Sequence, residues 1–120
     1  MNIISSPIRT MSSATAPKFE WLVILPDQKD ALQRRLDVRP EHFKGLSANK
    51  GQVWTMGGAI LDEVPKDDKL SFKGSCVVAV GASKEEVIEK LKEDVYAKNN
   101  VWDFDNIQIY PFKCAFRTEL

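Results

Sequence analysis

Two short runs that are apolar on both sides of an extended chain constrain the fold more than any other feature of the sequence. Residues 19–25 read FEWLVIL and are followed by Pro26, and residues 76–80 read CVVAV. Runs of this length that are rich in β-branched and aromatic residues are typical of strands. Because an apolar strand face must be covered, we expect both strands to lie at the centre of a sheet, with both faces buried.

A further strand is predicted at residues 52–56, ending at Gly57 and Gly58. Two glycines can line a ligand pocket, because no side chain blocks the approach of another group, but a turn that ends the strand is the favoured explanation. The connection that follows, at residues 59–71, is long and highly charged. It is predicted to be a lid or a mobile loop tip.

The second half of the sequence adds one helix and one strand. Ser83 precedes Glu86 by three residues, which is the spacing of a capping box at a helix start. The last strand is predicted at residues 107–112, where Pro111 cannot donate to a neighbouring strand and so indicates a sheet edge.

A helix in two parts is predicted between the first two strands. Asp27 is expected to cap the first part, in which Ala31, Leu32 and Leu36 form the apolar stripe of a short amphipathic helix. The residue before a proline disfavours helical geometry, so a break is expected at Arg39. Pro40 then begins a second helix of about three turns.

His42, the only histidine of the chain, falls in the first turn of that second helix, and Gly51 lies beyond its end. The N–H groups at a helix start create a positive field that disfavours imidazolium. His42 is therefore expected to be neutral and able to accept a proton near neutral pH. A lone histidine at such a place is also commonly a half-buried structural residue, and spacing alone leaves both roles open.

The order strand, helix, strand, strand, helix, strand predicts an α+β fold of the ferredoxin-like kind, βαββαβ, with a four-stranded antiparallel sheet. Two crossover helices cover only one face of such a sheet, whereas the two central strands require cover on both faces. Because no residues are left for another layer, we expect a second copy of the chain to pack sheet against sheet in a homodimer.

Composition excludes several classes of protein. Seventeen basic and seventeen acidic residues cancel without forming a basic stripe, which argues against a nucleic-acid partner. No apolar run approaches the ~20 residues of a membrane helix, so no membrane partner is expected. Cys76 and Cys114 lack CxxC spacing and no second histidine is present. We therefore predict two buried thiols in a reducing compartment and no metal site.

The chain divides into a tail and one domain. Residues 1–18 are rich in serine and threonine and contain no acidic residue, so a flexible N-terminal tail is predicted there, with one folded domain at 19–120. The expected location is the cytoplasm. The composition of the tail also weakly resembles a transit peptide, which leaves mitochondrial import open.

Five segments, in order, resemble the YCII-related (YciI-like) family of dimeric α/β-barrel proteins. They are RRLDVRPEH at 34–42, TMGG at 55–58, FKGS at 72–75, DVY at 94–96 and YPFK at 110–113. The corresponding family patterns are RLxVRxxH, a TAGP-like strand end, FTGS, DPY and KPFK. The resemblance implies a ferredoxin-like subunit and dimerisation.

The resemblance also implies an active site centred on a histidine and an aspartate, which correspond to His42 and Asp94. Relatives are known for dehydrochlorination of chlorinated hydroquinones, and muconolactone isomerases have a similar fold. Two positions depart from the family pattern: Gly58 stands where proline is common, and Val95 replaces the proline of DPY. The second departure affects the turn that aims Asp94.

Chemically, Asp94 would fix the tautomer of His42 and stabilise its imidazolium form, which is the equipment of a general base. No nucleophile motif or phosphate-binding loop is present, so a reaction without a cofactor is predicted. Arg39 is expected to bind an anionic substrate or to pair with a neighbouring carboxylate. Gly57, Gly58 and Tyr96 complete the predicted substrate site. Trp102 is a second candidate for the pocket wall, although core packing is favoured for it.

Three functions follow from these residues. The first is a cofactor-free lyase or isomerase, of the dehydratase, dehydrohalogenase or cyclase type, which acts on a small cyclic or aromatic compound. The second is a noncatalytic dimer that binds a small molecule or a partner, including a stress-related role. The third is a cofactor-free oxygenase of the same dimeric barrel class.

Overall fold

A computed structural model describes residues 18–120, so the predicted N-terminal tail lies outside the described residues except for Lys18. The elements are β1 (Phe19–Pro26), α1 (Leu32–Ala48), β2 (Trp54–Leu61), β3 (Phe72–Gly81), α2 (Lys84–Lys92), α3 (Val95–Lys98) and β4 (Gln108–Phe112). A single 3-10 turn, Phe104–Asn106, precedes β4.

The four strands form one antiparallel sheet in the order β2-β3-β1-β4. The ferredoxin-like arrangement predicted from the order of elements is confirmed, as is the central position of β1 and β3. Pro111 lies in β4, at the edge of the sheet. Proline has no backbone N–H to donate, and an edge strand tolerates this because it has a neighbouring strand on one side only. In β1 and β3, Val23 stands opposite Val77.

One face of the sheet packs against the helices. Val23 and Leu25 of β1 and Ala79 of β3 are buried and belong to one cluster with Val87 and Leu91 of α2. Residues that face each other across antiparallel strands share a sheet face, so this alternation defines the helix side of the sheet. Removing these side chains from water is the main stabilising term for the domain.

The opposite face, called here the open sheet face, is apolar but carries no helix in the described part of the chain. Its apolar residues are Leu22, Ile24, Met56, Cys76, Val78, Tyr110 and Phe112, and the polar residues Glu20 and Gln108 share the face. Val78 is buried, whereas Met56, Tyr110 and Phe112 are 57%, 50% and 37% exposed. A contiguous exposed apolar patch of this kind is typical of an interaction surface.

The first helix differs from the prediction. α1 is one continuous helix with Pro40 inside it, and no break occurs at Arg39. Pro40 cannot donate a backbone hydrogen bond, which destabilises a helix interior. The helix continues because buried Arg35 and buried His42, on either side of the proline, are both bound to other elements by side-chain hydrogen bonds.

The predicted start of this helix is also wrong, and its predicted apolar stripe is only partly correct. Ala31 occupies the N-cap position without a side-chain bond, because the carboxylate of Asp27 binds Arg35 instead. Leu32 and Leu36 are exposed. Of the predicted stripe, Ala31 is buried, and it shares the inward face with Arg35, Val38, His42 and Leu46, whose spacing of three and four residues places them on one side of a helix.

Two further expectations need correction. Gly57 and Gly58 lie inside β2, paired with Val77 and Cys76, and do not end the strand. Cys76 and Cys114 are free thiols, as expected, but both are only half-buried. Cys76 lies on the open sheet face, which explains its partial exposure.

The second helix begins as predicted. The Ser83 hydroxyl accepts from the Glu86 backbone N–H at 3.1 Å, and the Glu86 carboxylate accepts from the Ala82 N–H at 3.1 Å. Two of the N–H groups at the helix start are thereby satisfied by side chains.

Candidate active site

His42 and Asp94 meet in the structure, although 52 residues separate them in the sequence. The Nδ1 atom of His42 lies 2.8 Å and 2.9 Å from the two carboxylate oxygens of Asp94. A carboxylate only accepts hydrogen bonds, so Nδ1 is the atom that carries the proton in the neutral ring. Nε2 then keeps a free lone pair, which is the arrangement that a general base requires.

Asp94 is held in place by the start of α3. It is the N-cap residue of this helix, and its Oδ1 accepts from the Tyr96 backbone N–H at 2.8 Å. This bond fixes the carboxylate without the proline of the family pattern, for which Val95 stands here. The cap therefore substitutes for the rigidity that the proline would supply.

The position of His42 within its helix differs from the prediction. α1 begins at Leu32, so His42 is the eleventh residue of the helix and lies far from its first turn. The field of a helix start decays within about one turn. The electrostatic partner of His42 is consequently Asp94, and the argument from a helix N-terminus does not apply.

Aromatic rings fix the imidazole on two sides. The ring of Tyr96 stacks on His42 at 3.8 Å between centroids and 11° between planes. Trp102 meets His42 edge-on at 5.8 Å and 88°. Burial raises the pKa of the Tyr96 phenol, so it stays protonated at neutral pH. Its hydroxyl has no hydrogen-bond partner among residues 18–120.

Arg35, which the sequence did not single out, lies in the same wall and is 3% exposed. Its Nε donates to Asp27 Oδ2 at 2.8 Å. Its Nη2, which carries two hydrogens, donates to the Gly74 carbonyl oxygen at 2.9 Å and makes a longer, shared contact with Asp27 Oδ1 at 3.2 Å. It also donates to the Ser75 hydroxyl at 2.7 Å. Asp27 thus neutralises this buried cation, which is the condition under which a buried charge is tolerated.

Arg39 is held differently. Its guanidinium lies 5.0 Å from the centre of the Phe43 ring and 5.3 Å from that of Phe72. It forms no ion pair with Asp37 or Glu41, the carboxylates considered in the sequence, and no hydrogen bond within the described part of the chain. Cation–π contacts orient the group but leave its N–H donors free.

These side chains line a cavity of about 510 Å³ between α1, α3 and the β2–β3 side of the sheet. All six residues predicted for the site lie in its wall: Arg39, His42, Gly57, Gly58, Asp94 and Tyr96. Trp102 lines the cavity and also packs in the core, so it has both of the positions considered for it from the sequence. A largely apolar cavity with a few convergent polar groups is typical of a small-molecule site.

An added Cβ at Gly57 would lie 3.4 Å from the Cys76 carbonyl oxygen and from the Val77 side chain. Gly57 thus leaves the floor of the cavity free of a side chain. At Gly58 an added Cβ would meet nothing within 4 Å.

Other chemical groups near the site offer little. Burial raises the pKa of the Cys76 thiol, so the nucleophilic thiolate is disfavoured. Residues 18–120 hold no group of three or more metal-ligating side chains.

Within the same range, no helix is both long and apolar enough to span a membrane.

Comparison with known proteins finds a matching family model and several similar fungal proteins. The family model described as YCII-related domain matches residues 19–113. Aspercryptin biosynthesis cluster protein B of Emericella nidulans is 38% identical over 105 residues, covering 85% of this chain and 67% of that protein. Fusaric acid biosynthesis protein 2 of Gibberella fujikuroi is 28% identical over 96 residues, covering 78% and 92%.

A solved structure with the same architecture is that of 5-chloro-2-hydroxyhydroquinone dehydrochlorinase from Burkholderia phenoliruptrix AC1100, in complex with 2,5-dihydroxybenzoquinone. It superposes with a TM-score of 0.67 at 24% identity and covers 78% of this chain and 93% of that one. At this identity the likeness supports the fold.

Proposed function

This chain belongs to the YCII-related family, as its ordered motifs predicted, and we propose that it is a cofactor-free lyase or isomerase for a small cyclic or aromatic compound. The observation that supports this most directly is the His42–Asp94 pair in the wall of a cavity of about 510 Å³. A histidine oriented by a carboxylate, with its second nitrogen free, is suited to proton abstraction.

In the proposed reaction, Nε2 of His42 removes a proton from a carbon next to a carbonyl or phenolic oxygen. The electron pair of that C–H bond forms a new double bond. In an elimination, a leaving group departs with its own electron pair, and in an isomerisation, the proton returns to a different carbon. Asp94 stabilises the imidazolium in the interval.

The remaining residues of the predicted site act on binding. Arg39 binds an anionic group of the substrate or the oxyanion that develops as the proton leaves, because its donors are free. Tyr96 forms the wall that orients His42. Gly57, on the helix side of β2, leaves space for a ring, and Gly58 also lines the cavity.

The relatives support this class of substrate. The dehydrochlorinase with the same fold is described with a small oxygenated ring bound, and the similar fungal proteins are named for the biosynthesis of small molecules. A reaction on such a compound is therefore the proposal that unites the fold, the cavity and the His42–Asp94 pair.

We also propose that the protein is a homodimer, with the open sheet face as its interface. The exposed apolar side chains Met56, Tyr110 and Phe112 support this arrangement, because water is excluded from them only when a partner covers the face. Residues 19–120 would form the folded domain of each subunit. A cytoplasmic location, with mitochondrial import as the alternative, stays a prediction from composition.

The experiment that tests the function does not require the natural substrate. The purified full chain is incubated in D₂O with a panel of hydroxylated quinones, chlorinated hydroquinones, cyclic enones and lactones. Mass spectrometry then detects deuterium uptake or product. We expect at least one compound to react, and His42→Gln to slow the reaction by about 10²- to 10⁴-fold, the usual contribution of a general base.

Glu41→Gln is the matched control, because it removes a charge from the adjacent, exposed position of α1 and should leave the rate unchanged. Equal melting temperatures would show that both variants fold. A rate that His42→Gln leaves intact would refute the proposal. Saturable binding without exchange or product would favour the noncatalytic dimer, and oxygen consumption with a quinol would favour the oxygenase.

A further inference from the structure

The hydroxyl of Ser75 is a polar group in the cavity wall that the proposed reaction does not yet use. Ser75 lies in β3 opposite Leu25 of β1 and Ala59 of β2, on the sheet face that the helices cover. It lines the same cavity as His42 and Asp94. A ligand that meets the proposed base can therefore also meet this hydroxyl.

Two donors occupy the oxygen of this hydroxyl. Arg35 Nη2 donates to Ser75 Oγ at 2.7 Å, and Trp102 Nε1 donates to it at 3.0 Å. Guanidinium and indole N–H groups donate and cannot accept. Both lone pairs of the Ser75 oxygen are thus in use, and its proton must be donated to a third group. Among residues 18–120, the structure contains no hydrogen bond in which the Ser75 hydroxyl is the donor.

The position of the hydroxyl is fixed by its surroundings. The Arg35 guanidinium is bound to Asp27 and Gly74 and lies 4.8 Å from the centre of the Tyr96 ring. At Gly74 the strands approach so closely that an added Cβ would lie 2.5 Å from the Leu25 carbonyl oxygen. Since neither the donors nor the strand can shift easily, the Ser75 proton is presented in a set direction.

We propose that Ser75 donates a hydrogen bond to a carbonyl or phenolate oxygen of the ligand. The proposal rests on the small-molecule site described under the proposed function and specifies the substrate as one with an acceptor oxygen. As His42 removes a proton, negative charge develops on that oxygen, and a preorganised donor stabilises it. The bond from cationic Arg35 polarises the hydroxyl and strengthens its donation. Arg35 and Trp102 are positioning residues.

The test compares two probes on two proteins. 4-Nitrophenolate carries a phenolate oxygen, and nitrobenzene is the same ring without it. Calorimetry at a pH where the phenol is ionised gives the affinity of each probe for the wild type and for Ser75→Ala. We expect Ser75→Ala to lower the affinity for 4-nitrophenolate by about 10- to 100-fold, which is the usual effect of losing a hydrogen bond to a charged group. The affinity for nitrobenzene should not change.

Ser75→Thr keeps a hydroxyl and should restore the preference for the phenolate. If Ser75→Ala does not fold, Ser75→Cys replaces it, because a thiol of similar size is a weak donor and should lose the preference in the same way. If Ser75 has only a structural role, Ser75→Ala should lower the affinities for both probes equally, and that result would overturn the proposal. So would an unchanged preference in the folded variant, or wild-type protein that binds neither probe.

The two proposals fail separately. His42→Gln should retain the preference for the phenolate, because His42 is not the donor. A preference that depends on Ser75, together with no turnover of any compound, would refute the proposed reaction and support the assignment of Ser75. If turnover depends on His42 but the preference for the phenolate does not depend on Ser75, the proposed reaction is supported and the assignment of Ser75 is refuted.

Discussion

The carboxylate of Asp94 faces Nδ1 of His42 with both of its oxygens, at 2.8 and 2.9 Å. The same Oδ1 atom accepts the N–H of Tyr96 at 2.8 Å and so caps α3. One carboxylate thus links the orientation of the proposed base to the start of a helix. Different substitutions at Asp94 can separate these two roles of the carboxylate.

Asp94→Asn should reduce turnover strongly with little loss of stability. An asparagine oxygen still caps the helix, because asparagine is as good an N-cap as aspartate. It cannot stabilise an imidazolium, and its amide group can bind the wrong tautomer of His42. Steady-state kinetics and a urea unfolding curve measure the two effects on the same sample.

Asp94→Ala removes the cap as well, and should lower the free energy of unfolding by about 1 kcal/mol relative to Asp94→Asn. Both variants should be equally poor catalysts. Full activity in Asp94→Asn would contradict the role assigned to the carboxylate.

Arg39→Met should weaken the binding of anionic ligands by about tenfold and leave neutral ligands of the same shape unaffected. The reason is that Arg39 has free donors beside the cavity, and a charge-assisted hydrogen bond contributes about 1.5–3 kcal/mol when it is largely desolvated. Calorimetric titration with a matched acid and amide gives the comparison.

The control for this experiment is Arg34→Met, which removes a half-buried arginine of α1 that binds the Asn100 carbonyl oxygen and does not line the cavity. It should change neither affinity. Equal effects of the two replacements would show that net charge, and not the position of Arg39, determines the preference.

Arg35→Met should destabilise the domain by about 3 kcal/mol, because it leaves the carboxylate of Asp27 with little access to water and without its partner. Adding Asp27→Asn should restore part of the loss, since the uncompensated charge is then gone. The control is the pair of Arg117 and Glu20, whose side chains are 47% and 21% exposed, and Arg117→Met should move the urea midpoint much less. Similar midpoints for both disrupted pairs would contradict the argument.

Tyr110→Glu should convert the proposed dimer to a monomer, because a carboxylate on the open sheet face would be buried against an apolar partner. Sedimentation velocity over a range of concentrations measures the change. Phe116→Glu is the control, because Phe116 is exposed and follows the last strand. A wild-type chain that sediments as a monomer, or a Tyr110→Glu variant that stays dimeric, would exclude this interface.

Local patterns predicted most of the fold. The apolar runs of β1 and β3 indicated central strands, Pro111 indicated an edge, and Ser83 with Glu86 marked the start of α2. Each of these signals depends on neighbours within a few residues of the chain. These local predictions are correct because the tertiary contacts at these positions favour the same structure as the local sequence does.

The prediction failed where distant contacts overrode a local preference. Pro40 suggested a helix break, but Arg35 and His42 are bound on either side of it, and α1 continues. One signal was available: residues 31, 35, 38, 42 and 46 keep helical spacing across the proline. Gly57 and Gly58 likewise suggested a strand end, whereas pairing with β3 extends β2 through them.

The sequence by itself determined the class of fold, and through its ordered motifs it named His42 and Asp94 as partners. Only the tertiary structure decided that Nδ1 and the carboxylate meet, that Arg39 is free and Arg35 is not, and that Ser75 has a proton to donate. The physical reason is that a side chain's charge and hydrogen-bonding capacity depend on what lies against it. Here those neighbours come from strands and helices up to 52 residues away, and the register of the sheet brings them together.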